Sequence, residues 1–156
     1  MIYRVVISQE CLDVLYTDIS RYQPRETGGA LMGEIQGGIL TIRKCILGGP
    51  KAVREVAYFE ADHPYVEMEI DLEYANSKGR HCYAGEWHSH PQRYPAPSPK
   101  DYQSFFTIAH GRDDTDPVFL IFGYVGLARP TMLEQGIAIY LDKQEQKFYK
   151  LPIVVK

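Results

Sequence analysis

The sequence has no long apolar run, no cluster of basic residues and no closely spaced cysteines. No stretch approaches the roughly 18 consecutive apolar residues of a membrane span, and residues 1–7 are too short for the core of a signal peptide. The net charge is −3, and the lysines and arginines are scattered, which gives no electrostatic basis for nucleic-acid binding. We therefore expect a protein that engages neither a membrane nor a nucleic acid.

Cysteine is scarce as well. Cys11, Cys45 and Cys82 are odd in number, far apart in the sequence and set among apolar residues. This usage excludes a disulfide framework or a cysteine metal cluster and predicts three buried, reduced thiols in a cytoplasmic protein. With 156 residues and 45% apolar content, the chain is expected to form one domain, residues 1–156, that buries roughly 70% of its extended surface.

Apolar periodicity predicts a mixture of helices and strands without repeats or linkers. The predicted helices cover residues 8–22, run from residue 62 or 63 to about 79, and start at Ser98. The predicted strands cover residues 2–7, 30–35, 39–47, 53–59, 82–90, 118–124, 137–141 and 148–154. The turn at residues 36–38 predicts a hairpin between the second and third strands.

The strand at residues 82–90 ends in His88 and His90, two positions apart. Side chains two apart on an extended strand point to the same face, so both imidazoles can reach one ion. Four prolines follow between Pro91 and Pro99 and turn the chain away, because each lacks an amide hydrogen for a sheet ladder. The pair therefore predicts half of a metal site at the end of a strand.

Ser98, Pro99 and Asp101 are typical of a helix start, with a capping hydroxyl, a proline at the first helical position and an acid in the first turn. An acid there could be the third ligand of a zinc ion that keeps its fourth position open for water. Glu86 shares the strand face of His88 and is the alternative carboxylate ligand. Approach from a separate helix surrounds an ion more easily than three ligands on one strand, which favours Asp101.

Glu26 precedes Gly28 and Gly29 at the entry to an apolar strand. A carboxylate close to a metal-activated water could take its proton during attack on a carbonyl and pass it to the departing amine. Spacing alone favours the interpretation of Glu26 as an ordinary solvated residue at a helix-strand junction.

Together these residues resemble the motif of the JAB/MPN (JAMM) zinc metalloproteases: an early glutamate, then His-x-His, seven residues, Ser, two residues and Asp. Glu26, His88, His90, Ser98 and Asp101 fill every position. The resemblance implies a mixed α/β domain with a central mixed β-sheet flanked by helices, in a cytidine-deaminase-like architecture. It implies Zn²⁺ bound by the two histidines and Asp101, Glu26 as general base, and Ser98 as a hydroxyl that stabilises the oxyanion.

The resemblance extends over most of the chain, through Phe59, Asp62, Tyr65 and the segment 85–88, to a bacterial branch associated with CBASS anti-phage defence. It implies an isopeptidase that acts on a protein conjugated through the C-terminal tail of a ubiquitin-like protein or a nucleotidyltransferase. Two alternatives share the fold: a peptidase that trims a sulfur-carrier protein, and a non-catalytic MPN-type scaffold. The sequence does not indicate the oligomeric state. A zinc nucleobase deaminase is disfavoured because its paired cysteines are absent.

The remaining histidines, His63, His81 and His110, are expected to be ordinary polar or capping residues rather than ligands. Trp87 alternates to the face opposite His88 and is expected to pack in the core. Tyr94, in the proline segment, is the better candidate for substrate contact. The aromatic residues Tyr58, Phe59 and Tyr65 could also line a groove, but most of this set is expected to be core.

Overall fold

The computed structural model describes residues 1–93, 95–123 and 129–156. The described residues form strands, three α-helices and a 3₁₀-helix (Arg129–Gln135) in a mixed order that confirms the expected α/β class. The helices are α1 (Gln9–Tyr22), α2 (His63–Asn76) and α3 (Pro99–His110). The strands are β1 (Arg4–Ile7), β2 (Gly28–Gln36), β3 (Ile39–Leu47), β4 (Val53–Glu55), β5 (Tyr58–Glu60), β6 (Cys82–His90), β7 (Val118–Gly123), β8 (Gly136–Asp142), β9 (Lys147–Leu151) and β10 (Ile153–Val155). Within the described part of the chain, none of the helices combines the length and apolarity needed to cross a membrane.

Eight strands form the central sheet in the order β10-β1-β3-β2-β6-β7-β8-β9. Strand β1 runs parallel to both of its neighbours, and β6 runs parallel to β7, while the other neighbours are antiparallel. The predicted hairpin joins β2 to β3 through Gly37 and Gly38, whose φ angles of 59° and 77° favour glycine. The parallel pair β6 and β7 lies near the centre of the sheet, and His90, at the end of β6, is buried there.

One predicted strand, at residues 148–154, is wrong as a single element. Pro152 divides it into β9 and β10, because proline has no amide hydrogen, although its carbonyl accepts a hydrogen bond from Val5 N at 3.0 Å. The two strands pair at opposite ends of the sheet, yet Leu151 and Ile153 are only two residues apart. Two residues span at most about 7 Å, so the sheet curves until its first and last strands approach each other.

The predicted strand at residues 53–59 is also two strands. Strands β4 and β5 form a separate antiparallel hairpin in which Glu55 is paired with Tyr58. The turn at Val56 and Ala57 contains no glycine, proline, asparagine or aspartate, and the sequence pattern therefore gave no signal for it. The hairpin contacts the segment before β2, because Glu26 N donates to Glu55 O at 2.8 Å.

The helices lie on both faces of the sheet. The apolar stripe of α1, which includes Leu12, Leu15 and Ile19, packs with Trp87 in the largest core cluster. Val66 and Ile70 of α2 pack on the other face against alternate residues of β2, and Phe105 of α3 packs on that same face against β7 and β8. The face of β6 that carries His88 and His90 is therefore the one covered by α2 and α3.

The cysteines differ from expectation at one position. Cys11 and Cys45 are buried thiols as predicted, whereas Cys82 is exposed. Cys82 is the first residue of β6, next to the loop that follows α2, and its Sγ lies 3.6 Å from Gly79 O. The end of the strand reaches solvent at Cys82, and apolar neighbours in the sequence do not predict this exposure.

Candidate metal centre

The two histidines at the end of β6 bring their ring nitrogens together. His88 Nε2 and His90 Nε2 are 2.9 Å apart, and the ring centroids are 4.7 Å apart. Strand β6 is flanked by β2 and β7. Gly28 of β2 pairs with His88, and Gly123 of β7 pairs with His90. A Cβ on Gly28 would lie 2.5 Å from Trp87 O and 3.0 Å from the Cβ of His88, so only glycine permits this approach. Pairing with the two neighbouring strands thus fixes the backbone that carries both imidazoles.

Asp101 approaches the same point from the first turn of α3. Its Oδ2 is 3.2 Å from His90 Nε2, and its Oδ1 is 3.6 Å from His88 Nε2. The predicted helix start is present as a reciprocal capping box: Ser98 N donates to Asp101 Oδ2 at 2.8 Å, and Asp101 N donates to Ser98 Oγ at 3.1 Å. The cap therefore fixes the carboxylate as well as the helix end.

The three side chains fit a single metal ion. One ligand atom from each of His88, His90 and Asp101 lies within 4.8 Å of the others, the single such group of histidine, cysteine and acidic side chains in the described parts of the chain. The two ring nitrogens are 2.9 Å apart, His90 Nε2 is 3.2 Å from Asp101 Oδ2, and His88 Nε2 is 3.6 Å from Asp101 Oδ1. These distances are close to the separation of about 3.3 Å expected between two ligands of a tetrahedral zinc ion. Two nitrogens and one oxygen leave a fourth position open, as in catalytic sites.

The electrostatics of the group also suit a cation. Burial, reinforced by His90, lowers the pKa of His88 to about 4, so the imidazole is neutral and able to ligate. Burial opposes ionisation of Asp101, but hydrogen bonds from His90 and Ser98 outweigh it and hold its pKa at about 2. At neutral pH the centre therefore presents a carboxylate and a neutral imidazole.

Glu26 lies beside this group. The pairing of Gly28 with His88 continues as a hydrogen bond from Ser89 N to Thr27 O at 2.9 Å, and Glu26 is the residue before Thr27. Burial raises the pKa of Glu26 to about 7, with His90 opposing the shift and Asp101 adding to it. No described residue donates a hydrogen bond to its carboxylate. The side chain is half-buried, ionisable and next to the ligands.

Glu86, the alternative carboxylate, does not join the ligands. It lies in a cleft of about 250 Å³ between α2 and α3, lined also by Glu67, Tyr83 and Arg112. Arg112 Nη2 is 3.8 Å from Glu67 Oε1, and its guanidinium lies 3.8 Å from the centroid of the Tyr83 ring. Burial raises the pKa of Glu86 to about 7.

The other histidines have partners elsewhere. His81 Nδ1 is 2.6 Å from Glu73 Oε2, and His63 Nε2 is 3.7 Å from Glu60 Oε1. His110 is exposed and stacks on Phe106, with centroids 4.2 Å apart. None of the three belongs to the group formed by His88, His90 and Asp101.

The aromatic predictions have mixed outcomes. Trp87 is 1% exposed and packs on the side opposite His88, as predicted, and its Nε1 donates to Ile46 O at 3.0 Å. Phe59 lies against Gly28, where a Cβ would come within 2.7 Å of its ring, whereas Tyr58 is exposed. Tyr94, the predicted substrate contact, lies outside the described residues.

A buried polar network next to Glu26 was missed from the sequence. Thr27 Oγ1 donates to Asp18 Oδ2 at 2.7 Å and accepts from Arg54 Nε at 2.9 Å. One signal was available: Asp18 falls on the same helix face as Leu15 and Ile19, where an apolar residue is expected. The links to Thr27 and Arg54 depend on tertiary structure and have no sequence pattern.

A mixed α/β sheet that presents two histidines and an aspartate, beside an ionisable glutamate, defines a hydrolase of the metallopeptidase class. Residues 8–135 match the family described as prokaryotic homologs of the JAB domain. The chain belongs to that family.

Relatives and a solved structure agree with this assignment. A protein named probable metalloprotease y4qB, from Sinorhizobium fredii, is 32% identical over 113 residues, which are 71% of this chain and 69% of the relative. A protein named CD-NTase/cGAS isopeptidase, from Escherichia coli, is 30% identical over 102 residues, or 65% of this chain and 64% of the relative. The solution structure of protein DSY2949 from Desulfitobacterium hafniense aligns with a TM-score of 0.65 over 97% of this chain and 92% of that chain, at 16% identity. That last likeness concerns the fold alone.

Proposed function

We propose that this protein is a zinc-dependent isopeptidase that hydrolyses the amide between the C-terminus of a conjugated protein and an amine. The observation that carries the proposal is the convergence of His88, His90 and Asp101 beside Glu26 and Ser98. A donor set of two imidazoles and one carboxylate is that of catalytic zinc. Bound there, zinc would lower the pKa of a water toward roughly 7 and polarise a carbonyl.

The protein's own residues move the proton. Glu26 accepts a proton from the attacking water as the new carbon–oxygen bond forms at the scissile carbonyl. It then delivers that proton to the amide nitrogen as the carbon–nitrogen bond breaks, so that a free amine and a carboxylic acid leave, and the acid loses its remaining proton to solvent. Its half-buried position, close enough to His90 and Asp101 for their charges to affect its pKa, suits both transfers.

Ser98 supports the charge that develops on the carbonyl oxygen. Its Oγ accepts from Asp101 N at 3.1 Å, which orients the hydroxyl and leaves its hydrogen available to donate to an oxyanion. The same capping box holds Asp101. The start of α3 thus positions both the proposed metal ligand and the proposed oxyanion donor.

The substrate class we propose is a protein carrying a conjugated C-terminal tail, from a ubiquitin-like protein or a nucleotidyltransferase. Support comes from the similar protein of Escherichia coli, which is named CD-NTase/cGAS isopeptidase. A role in anti-phage defence is part of the same proposal. Release of an amino acid from the tail of a sulfur-carrier protein would use the same residues. Only a test of substrates distinguishes that activity from the isopeptidase activity.

The test uses zinc-loaded protein and a nucleotidyltransferase joined through its C-terminal carboxyl to the ε-amine of a lysine peptide, with products identified by mass spectrometry. We expect wild type to release the free C-terminus, and Glu26→Ala to retain zinc but cleave about 10²- to 10⁴-fold more slowly. Glu55→Ala is the matched control, since this exposed neighbour contributes only its main-chain carbonyl. Equal cleavage by Glu26→Ala would refute the mechanism. A wild type that holds one zinc and cleaves only a tailed carrier protein would favour the trimming peptidase, and one that binds no zinc and cleaves nothing would favour the scaffold.

A further inference from the structure

Thr27, the residue after Glu26, is fully buried, and its hydroxyl is held between two charged groups. It donates to Asp18 Oδ2 of α1 at 2.7 Å and accepts from Arg54 Nε of β4 at 2.9 Å. Hydrogen bonds to charged groups are roughly twice as strong as neutral ones. One small side chain therefore joins α1, the start of β2 and the β4–β5 hairpin.

The main chain of Thr27 is bonded to the residue between the two histidines. Thr27 N donates to Ser89 Oγ at 3.1 Å, and Ser89 N donates to Thr27 O at 2.9 Å. Ser89 is 1% exposed and lies on the face of β6 opposite the ring nitrogens. The reciprocal pair couples the segment of Glu26 directly to the ligand strand.

The Glu26 carboxylate is carried by this backbone, whose position is set by hydrogen bonds on both sides. The main chain at Glu26 is held from one side by Glu55 O, at 2.8 Å from Glu26 N, and from the other by the bonds of Thr27. A displacement of this segment would move the carboxylate relative to His90. Since reacting groups must be held within a fraction of an ångström, such a displacement would affect the rate.

The network is not the simplest way to stabilise this part of the core. Asp18 is 6% exposed, and the Arg54 guanidinium lies 4.0 Å from the centroid of the Tyr22 ring. Burying charged groups of this kind is often no more stabilising than apolar residues of similar volume, because desolvation offsets their attraction. What the charged groups add is a fixed orientation for the Thr27 hydroxyl, which apolar packing does not provide.

We propose that Thr27 is a positioning residue for the reaction, holding Glu26 in register with His88 and His90 through Ser89, Asp18 and Arg54. The inference rests on the proposed function of Glu26 as the base. It assigns to the Asp18–Thr27–Arg54 network, which contacts no ligand atom, a role in the rate of proton transfer. Substrate binding and metal binding should be largely independent of it.

The test compares Thr27→Val, which removes the hydroxyl at nearly constant volume, with Thr27→Ser, which keeps it, and with Ser89→Ala, which removes the acceptor of Thr27 N. Thr41→Val, on β3 and away from the centre, is the matched control. The measurements are kcat and KM on the conjugate described above, zinc per chain, thermal unfolding and amide hydrogen exchange at Thr27. We expect Thr27→Val and Ser89→Ala to lose about 10- to 100-fold in kcat, with KM and zinc content unchanged. Thr27→Ser should recover most of the rate, and Ser89→Ala should exchange the Thr27 amide faster.

The outcomes separate this inference from the proposed function. If wild type cleaves and both Thr27→Val and Ser89→Ala retain its kcat while unfolding at lower temperature, the network is only structural and the inference is wrong. If the loss appears in KM or in zinc content, the residue acts on binding and the inference is equally wrong. If wild type cleaves nothing, the proposed function fails, and the positioning role fails with it. Should Thr27→Val not fold, Thr27→Ser and Ser89→Ala still decide the matter through kcat and amide exchange.

Discussion

Two polar clusters lie on opposite faces of strand β6, one residue apart along the chain, and their hydrogen bonding differs. Around Thr27, each hydroxyl, carboxylate and guanidinium has a partner of opposite character within 2.7–3.1 Å. Around His88 and His90, two ring nitrogens face each other at 2.9 Å with a carboxylate beside them. The Thr27 cluster pairs donors with acceptors and fixes the backbone next to Glu26, whereas the second cluster brings together three groups that can each donate an electron pair to one cation. The predictions below separate the two clusters, from the largest expected effect to the smallest.

Removing a ligand should abolish the centre and leave the opposite cluster intact. For His90→Ala we expect zinc content to fall from one per chain to near zero and cleavage to fall at least about 1,000-fold, since several kcal/mol of metal-derived stabilisation are lost. Elemental analysis and steady-state kinetics check both. His110→Ala, which alters an exposed histidine outside the group, should keep zinc and activity. Full zinc occupancy in His90→Ala would contradict the assignment.

The Ser98 hydroxyl belongs to the cluster of His88, His90 and Asp101, because it accepts a hydrogen bond from Asp101 N. Ser98→Ala should lower kcat about 10²- to 10³-fold through loss of the oxyanion donor, and stability by about 1 kcal/mol through loss of the cap. Zinc content should stay at one per chain. Ser98→Thr, which retains a hydroxyl, is the control for both effects. A variant that loses only stability would limit Ser98 to helix capping.

Trp87 tests the packed side of β6. Its Nε1 donates to Ile46 O at 3.0 Å inside the core, so Trp87→Phe leaves a buried carbonyl without this donor and should cost about 1–3 kcal/mol of unfolding free energy. Urea denaturation measures the loss. Zinc content and kcat of the folded protein should remain within about twofold of wild type, because the Trp87 side chain bonds to Ile46 O and takes no part in the hydrogen bonds between Thr27 and Ser89. If kcat falls by more than the loss of folded protein accounts for, packing around Trp87 also affects the reaction on the opposite face of β6.

Glu86 gives the smallest expected effect. It shares the face of the histidines but lies in the cleft with Arg112, so Glu86→Gln should change zinc affinity by no more than about threefold. Loss of an outer partner of a metal ligand typically costs 10- to 100-fold in affinity. Competition with a zinc indicator distinguishes the two ranges, and Glu67→Gln at the same cleft is the matched control.

The sequence predicted those parts of the fold and site that depend on local pattern. The strand alternation at His88 and His90 and the capping signals at Ser98 and Asp101 are set by a few neighbouring residues. Both elements are present, Pro99–His110 and Cys82–His90, with the predicted bounds or close to them. Their convergence on one point followed from the family motif rather than from either pattern alone.

What the sequence did not predict depends on partners distant in the chain. The turn inside residues 53–59 lacks turn residues, and the break at Pro152 follows from which strands accept each half. The hydroxyl of Thr27 meets Asp18 from nine residues before it and Arg54 from 27 residues after it. Asp18 on an apolar stripe signalled a buried partner, but nothing local identified which one.

The division of the last predicted strand at Pro152 also affects how readily the protein can self-associate. Exposed outer strands of a β-sheet offer unpaired amide and carbonyl groups to other chains and are frequent starting points of aggregation. Here β9 and β10 are the two outermost strands, and the proline that joins them keeps both within a few residues of each other. Short edge strands and proline are two devices that limit such pairing, and both are present here, since β9 has five residues, β10 has three and Pro152 lies between them.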